Sequence, residues 1–243
     1  MEFKFLHFYP DLMNLYGSYA NVAVLKRHLE ALGHTACVEY VERGQEAHLA
    51  SADFVFMGAG TERSQKAALA DFVRYGEAVK AAAENGTVML FAGTAMDLLG
   101  KTITDSAGKS YEGIGLADFC SVQGDKRFVE DVYGATDLYP EAVVGFMNKC
   151  STVTGVTAPL LSSVTMGCGN EGLHTPEGYH AGNVFASYLT GPILVKNPRL
   201  LDTLLRAMLQ RKGVEVPDAL PTFPDEEASY AVTAEQLRLR SGN

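Results

Sequence analysis

Two continuous apolar runs do most to limit what this chain of 243 residues can fold into. DFVFMGAG (Asp53 to Gly60) and TVMLFAG (Thr87 to Gly93) each enter a turn of small residues. A strand that is apolar at consecutive positions has no face suited to water. Such runs belong to parallel strands covered on both sides by helices. In the second run the turn leads into a short helix that ends at Gly100. This strand–turn–helix shape is how α/β hydrolytic enzymes present a nucleophile. Yet the turn is Ala92, Gly93, Thr94 and Ala95, with neither Ser nor Cys.

The elements around these runs repeat the pattern. FKFLHFY (Phe3 to Tyr9) reads as an aromatic-rich strand ended by Pro10. Val22, Leu25, Leu29 and Leu32 fall at helical spacing before the stop at Gly33. TACVEYV (Thr35 to Val41) is a further strand, and Ser64 to Asn85 reads as one long Ala-rich helix. The β-α-β-β-α-β order predicts a three-layer, flavodoxin-like doubly wound and mostly parallel sheet, with its site at the C-terminal ends of the strands.

Beyond Gly100 the pattern changes. Gly113 to Val132 and Ala142 to Val164 hold short apolar runs broken by Gly, Asp, Asn and Ser, which read as antiparallel strands added to the core sheet. NVFASYL (Asn183 to Leu189) is another strand, and Asn197-Pro198 opens a helix as N-cap and N1. The expected organisation is one domain over residues 1–212, then a Pro-rich linker and a charged tail helix over residues 213–243.

A net charge of −9 disfavours binding to nucleic acid through phosphate contacts. Cys37, Cys120, Cys150 and Cys168 form no C-x-x-C pair and have no His at zinc spacing, so no metal and no other cofactor is expected. Scattered cysteines in an acidic chain suggest reduced thiols and a cytoplasmic setting. No apolar run reaches the roughly 18 residues that span a membrane. His7, His28, His34 and His48 read as ordinary surface residues.

Three stretches converge on a known family. They are YPDLMNLYGSYANVAVLKRHLEALG (Tyr9 to Gly33), FVFMGAGTERSQ (Phe54 to Gln65) and GCGNEGLHTPEGYHAGNVFASYLTGPILVKNPRLLDTLL (Gly167 to Leu205). Together they resemble the CobB/CobQ-type branch of class I glutamine amidotransferases, and within it the GatD-like glutaminase subunits of lipid II isoglutaminyl synthases. The resemblance implies glutamine hydrolysis by a Cys–His pair and a Mur-ligase-like, ATP-dependent synthetase as partner. The family elbow reads roughly Cys-Gly-Gly-Tyr-Gln-Leu-Leu-Gly. Counting back from Leu98-Leu99-Gly100, Asp97 takes the Gln position and Gly93 the Cys position. The family His precedes Gly-Pro. In SYLTGP that position is Thr190.

Other family positions carry over in part. Gly58, Ala59 and Gly60 match the turn whose amides hold the oxyanion. Arg63 and Gln65 follow it, and Asn170 and Glu177-Gly178 match the loop before the last strand. GFMNKC (Gly145 to Cys150) has Met147 and Lys149 where the family has Glu and His. The resemblance thus implies a catalytically silent subunit of a cell-wall-precursor amidating synthetase, with Gly58, Ala59, Gly60, Arg63, Gln65, Thr94, Asp97 and Asn170 as candidate ligand-binding residues for glutamine or a related small molecule. The alternative is an active glutaminase that supplies ammonia to a synthetase, with Cys150 or Cys168 as a relocated nucleophile or with Thr94 served by Asp97. A nucleotide-binding module has no P-loop or G-x-G-x-x-G to support it.

Overall fold

The structure, a computed structural model, describes residues 1–242. The chain runs β1 (Glu2–Phe8), α1 (Ala20–Ala31), β2 (Thr35–Val41), β3 (Phe54–Met57), α2 (Glu62–Phe72), α3 (Gly76–Glu84), β4 (Val88–Ala92), β5 (Thr102–Thr104), β6 (Ser110–Glu112), β7 (Cys120–Ala135), β8 (Val143–Thr154), β9 (Ser163–Met166), β10 (Tyr179–Ala181), β11 (Val184–Ser187), α4 (Ile193–Lys196), α5 (Pro198–Arg211) and α6 (Pro224–Arg240). The main sheet has the order β10-β11-β4-β3-β1-β2. All its pairs are parallel except β10 on β11. Every residue of β3, β4 and β11 is buried, as strands covered on both faces require.

The middle of the chain departs from expectation. It adds no strands to the core sheet. Instead β6-β5-β7-β8 form a second sheet, with β9 on β7. β7 is 16 residues long, and its apolar residues are diluted because most of its central stretch is exposed. Its pairing with β8 slips between Gln123 and Phe128, so Gly124 to Arg127 bulge outward.

The long helix expected over Ser64 to Asn85 is two helices. α2 starts at Glu62, where the Thr61 side chain accepts the Ser64 N–H. A 3₁₀ turn over Val73–Tyr75 separates it from α3. α3 then opens at Gly76, the weakest helix former of the stretch. Tyr75 turns inward there, its ring 5.3 Å from Phe8. Asn197 precedes α5 as expected, but its side chain makes no cap. It bonds Val144 on β8 through both N–H (2.8 Å) and C=O (2.8 Å), so the amide serves as a substitute strand partner.

Two histidines expected at the surface are buried. His28 on α1 reaches Glu226, and His7 on β1 is 1% exposed with neither ring nitrogen hydrogen-bonded. Burial pushes His7 down to about 4. The folded state therefore holds it neutral, while the unfolded chain gains a proton below about 6.5. Its contribution is full above pH 6.5 and is lost as pH falls toward 4. Glu177 opposes this: burial raises it to about 7, so its contribution is lost as pH rises through that value. The comparison that isolates His7 is with His7→Leu. Between pH 6.5 and 5 the wild type should lose roughly 2 kcal/mol relative to the variant, read by urea unfolding. A pH-independent difference between the two would refute the buried neutral imidazole.

Among the described residues no helix is long and apolar enough to cross a membrane.

Candidate functional site

The ends of β3, β4 and β11 bring three turns together. The first, Gly58 to Gly60, is pinned by the segment from Leu12 to Ser18. The Leu15 N–H donates to the Ala59 carbonyl at 2.9 Å. A Cβ on Gly58 would lie 2.6 Å from the Met13 carbonyl oxygen, so this approach requires glycine. The turn after β11 is tied to α1: the Asn21 amide donates to the Gly191 carbonyl (3.0 Å) and accepts the Leu194 N–H (2.9 Å). The three stretches that carry the family resemblance therefore knit one local structure.

The elbow after β4 is a 3₁₀ turn over Gly93–Leu99, and Gly93 takes φ +63°. This is the sharp strand-to-helix bend that exposes a nucleophile in hydrolytic α/β folds. Gly93 and Thr190 sit face to face. A Cβ on Gly93 would lie 3.4 Å from Thr190 Cγ2, and only 2.5 Å from the Ala59 methyl carbon. The Thr190 hydroxyl donates to the Phe146 carbonyl at 3.1 Å. No titratable group stands at either position.

The amides that would hold an oxyanion are engaged. The Gly60 N–H donates to Thr94 Oγ1 at 2.9 Å, and the Ala59 N–H points to Ser18 Oγ at 3.4 Å. A cleft of about 240 Å³ opens above them, with Tyr16, Ala59, Gly60, Glu62, Thr94 and Thr190 among its walls and Arg127 and Asn148 at its mouth. Its charges are also paired: Arg127 donates to Glu62 at 2.5 Å and to Asn148 at 3.0 Å, and Asn148 donates to the Tyr16 hydroxyl at 2.8 Å. Burial would raise the Glu62 carboxyl. Hydrogen bonds from Arg127, its own backbone and Cys150 outweigh that and hold it below its ordinary value.

Of the candidate ligand-binding residues, Ala59, Gly60 and Thr94 line this cleft. Arg63 is exposed on α2, outside the cleft walls. Gln65, Asp97 and Asn170 are buried. Asp97 lies inside the elbow turn and faces the interior. It is 0% exposed and accepts from Gln65 Nε2 (2.6 Å), Ser121 Oγ (2.5 Å), Ser151 Oγ (3.4 Å) and the Tyr188 hydroxyl. Burial raises its carboxyl despite these donors. Lys149 stands over the Tyr188 ring at 4.5 Å and donates to the carbonyls of Gly169 (2.5 Å) and Asn170 (3.1 Å). Glu177 accepts from Ser187 Oγ (2.8 Å) and the Tyr188 N–H (2.6 Å). The network joins the main sheet to the second sheet behind the elbow.

Neither Cys150 nor Cys168 sits in surroundings that favour a thiolate. Cys150 donates to Glu62 at 3.3 Å, and burial, with this carboxylate beside it, pushes its thiol up to about 11. Cys168 is 0% exposed, and burial raises it against the pull of Lys149. A thiolate needs the opposite surroundings. The Thr94 hydroxyl bonds the Gly60 N–H and carbonyl and not Asp97. Arg127 and Glu62 escaped the sequence reading. Arg127 reaches the cleft from a bulge with no sequence periodicity, although Glu62 was marked by its place in the first turn of α2. Among the described residues no group of three His, Cys, Asp or Glu side chains could hold a metal ion.

This sheet, with its elbow and glycine turn at the strand ends, defines an α/β protein of the class I glutamine amidotransferase type. The chain belongs to the CobB/CobQ-like glutamine amidotransferase domain family, whose pattern it matches over residues 4–198. It is 29% identical over 242 residues to the lipid II isoglutaminyl synthase (glutamine-hydrolyzing) subunit GatD of Staphylococcus aureus (strain N315), covering 100% of this chain and 97% of that one. It is 30% identical over 227 residues to the subunit of the same name from Streptococcus pneumoniae (strain ATCC BAA-255 / R6), covering 92% and 86%. Among solved structures, one described as a glutamine amidotransferase superposes with a TM-score of 0.52 at 18% identity, covering 86% of this chain and 99% of that one, a likeness of fold.

Proposed function

We propose that this chain is a GatD-like subunit that has lost glutamine hydrolysis and acts as a non-catalytic partner or regulator of a Mur-ligase-like amidating synthetase in cell-wall precursor modification. The observation that carries the reading is the elbow. Gly93 and Thr190 face each other with no thiol and no imidazole, and the Ala59 methyl lies only 2.5 Å from where a nucleophile Cβ would go. The Gly60 amide, which an oxyanion would need free, is bonded to Thr94. Loss of the nucleophile, the base and the oxyanion donor together removes all three parts of the chemistry. The partner is supported by both GatD relatives, which are named as subunits of a glutamine-hydrolyzing synthase. We further propose that residues 1–212 form the amidotransferase-like domain and residues 213–243 a linker and tail appended to it.

The test is glutamate release from glutamine, measured with the chain alone and with a synthetase encoded beside it, alongside co-purification of the two. The expected result is a stable complex and no release above background in either case. Release that disappears in Cys150→Ala or Cys168→Ala would restore the active-glutaminase alternative. Two proteins that never associate would remove the proposed partner.

A further inference from the structure

Helix α6 holds to the rest of the chain mainly through charge. Of its 17 residues only Glu226 and Leu237 are buried. At its start Glu226 accepts from Arg27 Nη1 at 3.0 Å and pairs with His28 Nε2 at 2.9 Å, both on α1. The Phe223 ring, one residue before the helix, lies 3.6 Å beneath the Arg27 guanidinium and 4.7 Å from the His28 ring. Arg199 on α5 pairs with Glu227. The Tyr230 hydroxyl donates to the Ala142 carbonyl at 2.8 Å, and Arg240 pairs with Asp131 on β7 at 2.7 Å. Val232 and Leu239 face outward, at 65% and 58% exposure. The connection from α5 is itself fixed, by Arg206 on the carbonyls of Pro217 and Asp218 and by the buried Leu220.

We infer that α6 is an electrostatically latched strap that opens as one unit while the α/β core stays folded. The physical ground is the contrast between its two kinds of anchor. Ion pairs weaken as salt shortens the screening length, from about 10 Å at 0.1 M to about 3 Å at 1 M, most at the more exposed pairs Arg240–Asp131 and Arg199–Glu227 and less at the buried Glu226. Apolar anchors do not, and here they amount to Leu237 and the Phe223 ring. Segments with few buried apolar contacts open at lower free energy than the core they lie on. The fixed connection places the hinge at residues 221–223, so the helix swings and the linker stays. A groove of about 450 Å³ already runs between α6 and the body, with Ala20, Ala23, Val24 and Val195 on one side and Asp225, Glu226 and Ser229 of α6 on the other, and opening removes its α6 wall. It also frees the outer side of α4, on which α6 rests. α4 follows directly on Thr190-Gly191, so the strap backs the segment that walls the cleft, independently of whether the cleft is catalytically silent.

Hydrogen exchange on the full-length protein, at low and at about 0.5 M salt, tests this, with Glu226→Gln and Leu237→Ala as variants. At high salt the amides of α6 should exchange about tenfold faster, while those of β3 and β4 keep their rates. Glu226→Gln should reproduce the acceleration at low salt and reduce the response to added salt. Leu237→Ala should accelerate α6 by the same factor at both salts, because its anchor is apolar. The inference is overturned if α6 exchanges at the rate of α5 at both salts, or if it accelerates only together with the core.

Discussion

Asp97→Ala should cost about 3–5 kcal/mol of unfolding free energy, the largest single loss expected of any side chain in this protein. The carboxylate is fully buried and accepts from Gln65 (2.6 Å), Ser121 (2.5 Å), Ser151 (3.4 Å) and Tyr188. Removing it leaves several buried donors without an acceptor and takes away one of the two carboxyls that act on Lys149. Each orphaned donor costs about 1–3 kcal/mol, so the sum exceeds the net worth of the bonds themselves. Asp97→Asn preserves shape but turns an amide N–H₂ toward those donors, and should still cost about 2 kcal/mol. Urea midpoints with unchanged slope give the measurement. A loss under about 1 kcal/mol for the alanine variant would mean that the network contributes little to holding the two sheets together.

Gly93→Cys should be destabilising by about 2–4 kcal/mol and should release no glutamate, even when combined with Thr190→His. The backbone at Gly93 is left-handed, with φ +63°, which any side chain resists. The new Cβ would also meet the Ala59 methyl at 2.5 Å, a contact that forces something to move. Adding Ala59→Gly removes that obstacle and should recover most of the loss, leaving about 1 kcal/mol of backbone strain. Turnover should remain absent while Thr94 engages the Gly60 amide. A Gly93→Cys protein as stable as the wild type would show that the seat is open, and would weaken the argument that nucleophile and seat were lost together.

The α/β layering was legible because buried parallel strands write themselves as unbroken apolar runs, as Phe54–Met57 and Val88–Ala92 do. The elbow was legible because a sharp strand-to-helix bend demands small residues, and its register followed from Leu98-Leu99-Gly100. The second sheet was misread because exposed strands such as β7 carry no apolar signature, and their pairing depends on residues far along the chain. His7 and His28 were misplaced for a related reason: a polar side chain does not announce its burial. The burial of Asp97 was not legible because local sequence shows its position on the turn but not its four partners, which lie on α2, β7, β8 and just past β11.

By itself the sequence determined the buried strands of the main sheet, the family and the small residues of the elbow, since each depends on local pattern and register. Only the tertiary structure decided that Gly93 and Thr190 meet, that Ala59 crowds the elbow, that Thr94 engages the Gly60 amide and that Glu226 on α6 bonds Arg27 and His28. Those facts depend on distances between segments up to about two hundred residues apart, as in the pairing of His28 with Glu226 (198 residues). Such distances are set by the packing of the whole core, which no short stretch encodes.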